Sequence, residues 1–106
     1  MGSAGARWAA NPRETMTKDW DEVSFVISSS YRVTTLKHLA EVPATPSKIA
    51  AEESIGIAHV SRALQELRER SLAELLVSED RNKGRVYGIT DKGRTVWTTI
   101  EAENLA

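Results

Sequence analysis

From Ile49 to Leu67 the sequence reads as two short amphipathic helices joined by a turn of small residues. In the second helix Val60, Leu64 and Leu67 recur at spacings of four and three, which makes one buried stripe. At 100° per residue Ala58, Ser61, Arg62, Gln65 and Glu69 fall opposite that stripe, all of them small, polar or charged. The first of the pair starts at Thr45-Pro46, a hydroxyl cap followed by a ring that pre-sets the helical φ. Upstream, Trp20, Val23, Phe25, Val26 and Ile27 predict a short helix. Ser29 or Ser30 then caps another helix over 31–41, with Val33, Leu36, Leu39 and Ala40 facing inward. Downstream of Leu67 the cations Arg68 and Arg70 stand in the last turn, where the helix dipole favours them.

The periodicity then switches. Leu72 to Ser78 predicts a strand, 79–85 a polar turn, and Val86 to Thr90 an alternating return strand, which together make a hairpin. Thr90 caps a last helix from Asp91, on which Val96, Trp97 and Ile100 form an apolar stripe. Residues 1–17, with Gly and Asn-Pro signals and no apolar period, are expected to be a flexible arm, and 18–106 one domain. The order helix, turn, helix, hairpin predicts an α+β, mainly helical fold. It is a winged helix-turn-helix with three to five helices and a β-hairpin wing on the C-terminal side.

Charge sharpens this picture. The whole chain carries a formal charge of -1, but residues 57–94 hold eight cations against six acids. The predicted hairpin tip alone contributes Arg81, Lys83 and Arg85. Attraction for a polyanion would come from this local patch rather than from the whole surface.

Residues 31–94 resemble the winged-helix transcriptional regulators of the ArsR/MarR type. The resemblance rests on Ile49-Ala50, Val60-Ser61-Arg62, Leu64, Leu67 to Arg70, Leu72, Arg85-Val86-Tyr87, Ile89-Thr90 and Gly93. Three positions depart from that pattern: Ser54 and Ser71 stand where glycine is usual, and Gly56 where a Ser or Thr cap is usual. The resemblance implies duplex-DNA binding as a small transcriptional regulator, with the second helix of the pair in the major groove and the wing on the backbone. Candidate DNA contacts are then Ser47 and Lys48 at the start of the positioning helix, and Ala58, His59, Ser61, Arg62 and Gln65 on the reading helix. Arg81, Lys83 and Arg85 complete the set on the wing, where a merely solubilising loop is the plainer alternative. His59 lies to the side of the helix, which suits a phosphate or a neighbouring helix better than a base. A single module touches few phosphates, so a homodimer is expected. Trp20, Val23 and Ile27 on the first helix and Val96, Trp97 and Ile100 on the last are its candidate interface; the two tryptophans suit a core equally well. Glu52-Glu53 reads as a solvated face.

Other classes find little support. With no cysteine there is no disulfide and no thiolate metal site, and two histidines, His38 and His59, do not make a metal cluster. No cofactor, metal or catalytic constellation is expected, so the chain does not read as an enzyme. No apolar run approaches the ~20 residues of a membrane helix and no secretory pattern is present, which points to the cytoplasm. The rival reading is a winged-helix protein-protein interaction module, which would expose apolar side chains where this chain has Ser61, Arg62 and Gln65.

Overall fold

The computed structural model describes residues 20–77 and 85–105. Among these, five helices and one hairpin follow in the order α1 (20–27), α2 (Ser30–Glu41), α3 (Pro46–Glu53), α4 (Ile57–Glu69), β1 (Ala73–Val77), β2 (Val86–Ile89) and α5 (Asp91–Ala102). The arm expected over 1–17, and Arg81 and Lys83 of the hairpin tip, lie outside the described residues.

Three helices begin on a hydroxyl that accepts from the third amide onward: Ser29 from Arg32, Thr45 from Lys48 at 3.1 Å, and Thr90 from Gly93 at 2.9 Å. Such a cap contributes about 1 kcal/mol. Pro46 follows Thr45 as the first helical residue, where its missing N–H is no loss. The fourth, α4, begins at Gly56 with no side-chain cap.

The helix ends share a second device. Ser54, Ser71 and Asn104 adopt left-handed φ of 59°, 63° and 58°. In each case the following amide reaches back five residues: Ile55 to the Ala50 carbonyl, Leu72 to Leu67, and Leu105 to Ile100. This closure satisfies carbonyls that the helix leaves orphaned. It also explains why β1 starts at Ala73 rather than at Leu72, whose N–H is already spent on the end of α4 at 2.8 Å.

The core lies where α1, α2, α4 and α5 meet. Val23, Val26, Leu36, Leu39, Ile49, Val60, Leu64, Leu67, Leu72, Val96 and Ile100 are all but inaccessible to water. Trp97 joins them at 7% exposure. The predicted interface set is thereby divided. Val23, Val96, Trp97 and Ile100 are buried in the chain's own core, whereas Trp20 and Ile27 stay more than a third exposed. The apolar stripe of α5 exists because it packs against α2 and the hairpin.

In the hairpin Leu75 pairs with Tyr87 but Val77 pairs with Val86, so Leu76 is the extra residue of a bulge. Its side chain leans over Gly88, where a Cβ would meet Leu76 Cδ1 at 2.7 Å. The α2–α3 linker joins the sheet through Ala44, which exchanges backbone hydrogen bonds of 3.0 and 2.9 Å with Tyr87. Gly93 is needed for close approach, since a Cβ there would run into the carbonyl of Leu72. The first turn of α5 thus rests directly on the α4–β1 turn, and Thr90 donates its hydroxyl to the Ser71 carbonyl at 2.6 Å.

Candidate nucleic-acid interface

The buried stripe of α4, now Val60, Ala63, Leu64 and Leu67, forces the other side of the helix into solvent. Ala58, His59, Ser61, Arg62 and Gln65 are all exposed on it. Ser47 and Lys48 are exposed on the first turn of α3, and Lys48 Nζ lies 3.6 Å from Glu52 Oε2 one turn on. Arg85 is exposed at the foot of β2, while Arg81 and Lys83 lie outside the described residues.

The cations sort into two groups. Arg32 bonds Glu66 at 2.9 Å and lies 4.0 Å over the Phe25 ring, while Arg70 lies 4.2 Å over the same ring. Glu22 takes Arg70 at 3.1 Å and Lys92 at 2.9 Å. These three cations therefore clamp α1 to α2, α4 and α5 and are occupied by the fold. Among the described residues no ion pair involves Arg62 or Arg85. Both side chains are exposed.

Two histidines have opposite settings. His38 is buried between α2 and α3, with Nδ1 3.1 Å from Glu53 Oε2. Its Nε2 stands 3.5 Å from Glu52 Oε1 without hydrogen-bond geometry. Glu53 is therefore not part of a purely solvated face: it ties the end of α3 to α2. His59, by contrast, is exposed and stacks on Tyr31 with ring centroids 4.1 Å apart and planes 6° from parallel. Tyr31 and Ile57 belong to this surface although no sequence pattern singles them out. Ile57, the first residue of α4, is 51% exposed although its spacing from Val60 and Leu64 continues the apolar stripe. An exposed aliphatic at that place can meet a thymine methyl.

This is the winged-helix architecture of MarR-type regulators. A structure of Lactococcus lactis ZitR (a C30AH42A mutant) superposes with a TM-score of 0.64 at 26% identity, over 72% of this chain and 52% of that one. The MarR family transcription regulator SP03579 gives 0.67 at 21% identity over 94% and 68% of the two chains. MepR of S. aureus, in a structure of its complex with DNA, gives 0.62 at 18% identity over 85% and 76%. The chain spans about half the length of the ZitR chain it matches. ZitR is described as a zinc-responsive MarR family member. This chain has no cysteine, and among its described residues no group of three or more His, Asp or Glu is arranged to hold a metal ion. No curated protein was found to match the chain. The sequence profile of the HVO_A0261 N-terminal domain family covers residues 20–104, and the chain belongs to that family.

Proposed function

We propose that this chain is the duplex-DNA-binding module of a cytoplasmic transcriptional regulator, acting by binding rather than catalysis. The observation that carries the proposal is the exposed face of α4, on which Ala58, Ser61, Arg62 and Gln65 stand opposite the buried stripe. Small and polar residues let a helix enter the major groove, and Arg and Gln side chains match guanine and adenine edges respectively. Ser47 and Lys48 at the start of α3, with Arg81, Lys83 and Arg85 on the wing, would contact phosphates on either side of α4. An interaction module would cover this face with aliphatic and aromatic groups; among the described residues Ile57 and Tyr31 are exposed beside it, while its centre is Ser61, Arg62 and Gln65. The likeness to MepR, whose structure includes DNA, supports the same reading at the level of the fold.

The test is a titration of duplex DNA at about 50 and about 200 mM salt with the unmodified protein, Arg62→Ala, and the triple variant Arg81→Ala, Lys83→Ala, Arg85→Ala. If the wing grips the backbone, the triple variant should show a salt slope flattened by up to ~0.9 for each phosphate it no longer neutralises. Base reading by Arg62 predicts a loss of about 1–3 kcal/mol on a preferred sequence and less on random duplex. Absence of salt-dependent binding by the unmodified protein would overturn the proposal.

A further inference from the structure

Tyr31 and His59 form the one stacked ring pair among the described residues, and both rings are exposed to solvent. They come from different elements, the first turn of α2 and the first turn of α4. A stack of this kind buries little area beyond its own faces, so its contribution to folding is small compared with that of the core below it. Its larger effect is on freedom: an exposed histidine on a helix samples several rotamers, and a ring clamped on one face keeps one. Gly56 belongs to the same arrangement. A Cβ on Gly56 would stand 3.3 Å from His59 Cδ2, so the absence of a side chain there leaves the imidazole room to lie against the start of α4.

The polar edges of the pair are the informative part. Among the described residues neither ring nitrogen of His59 nor the Tyr31 hydroxyl has a hydrogen-bond partner. His38 shows the alternative: there a histidine is buried and set against two carboxylates, with a clear structural task. His59 has one face held by Tyr31 and its polar edge unspent among the described residues. It sits one turn before Arg62 on the side of α4 that leads from the reading face to α2.

We propose that Tyr31 is a positioning residue for DNA binding: by stacking on His59 it holds that imidazole so that its ring N–H donates to a backbone phosphate beside the groove that α4 enters. The inference rests on the DNA-binding reading above and adds to it a residue outside the helix pair. Because a phosphate contact carries no sequence information, the effect applies to every duplex equally.

The experiment measures affinity for a pool of random-sequence duplexes with Tyr31→Leu, Tyr31→Phe, His59→Ala and the double variant Tyr31→Leu, His59→Ala. Thermal melts establish that each is folded. His59→Ala should weaken binding about tenfold, the usual scale of one charge-assisted hydrogen bond. Tyr31→Leu should cost a similar factor, and the double variant no more than either alone, since the tyrosine acts only through the histidine. Tyr31→Phe keeps the ring and should retain the affinity of the unmodified protein. In NMR spectra the ring-current shift of the His59 carbon-bound protons should persist in Tyr31→Phe and vanish in Tyr31→Leu. Losses that add in the double variant, or a Tyr31→Phe as weak as Tyr31→Leu, would overturn the positioning role while leaving DNA binding intact. An unmodified protein that binds no duplex removes both readings together.

Discussion

His38 and Gly93 are two positions where the packing resists replacement for different reasons. His38 lies between α2 and α3 with Glu53 on one nitrogen, so His38→Ala both opens a cavity and leaves the carboxylate without its partner. Loss of about 2 kcal/mol is expected, read as a lower denaturant midpoint at unchanged m-value. Glu53→Gln keeps an acceptor opposite Nδ1 and should cost less. Equal unfolding midpoints for His38→Ala and the unmodified protein would mean that this pair does not hold the two helices together. Gly93→Ala places a methyl group against the Leu72 carbonyl. Because the clash is with backbone, it has no rotamer to escape into, and overpacking of this kind costs about 1–3 kcal/mol. A melt of Gly93→Ala as high as that of the unmodified protein would show that α5 can shift away from the α4–β1 turn.

The helix ends offer the opposite experiment. Ser54 and Ser71 hold left-handed conformations that glycine adopts without a steric penalty. Ser54→Gly and Ser71→Gly should each raise stability by roughly 0.5–1 kcal/mol, net of the added freedom of the unfolded chain. A fall in melting temperature would mean that the hydroxyls contribute more than the strain removes. Ser54 and Ser71 stand out as helix ends only against the family pattern, which has glycine there, whereas the Thr45 and Thr90 caps are legible because a cap is a local pattern of a few residues. The reading face of α4 is legible for the same reason: one turn-by-turn period fixes both its sides. What escapes a sequence reading is set by which elements meet. Glu53 reads as solvated because nothing near it in sequence announces a histidine on α2. Tyr31 and His59 are separated in sequence by the rest of α2 and all of α3 and find each other only through the packing of α2 on α4. Ile57 lies three residues before Val60, yet as the first residue of α4 it is left in water.

For the molecule as a whole, the division of the apolar stripes decides how a second copy could attach. Trp97 is enclosed by its own chain, so Trp97→Glu should unfold the protein rather than yield a folded monomer, with circular dichroism as the readout. A helical, cooperatively melting Trp97→Glu would place that ring outside the core. Trp20 and Ile27 are the members of the candidate interface left exposed, and a dimer built on α1 should dissociate in Trp20→Ala while the fold survives. Sedimentation of the unmodified protein as a monomer at tens of micromolar would overturn the expectation of a homodimer. Finally, the paired backbone bonds between Ala44 and Tyr87 join the base of the hairpin to the linker that precedes α3. Amides so bonded, with Ala44 and Tyr87 both buried, should exchange with deuterium only when the sheet and the helix pair open as one cooperative unit. On the proposed DNA-binding reading, the hairpin and the linker that leads into α3 then meet a duplex as one piece, like the jaw of a caliper. On that reading, changes in the charge of residues 78–84 should alter affinity for every duplex alike and leave sequence preference as it is.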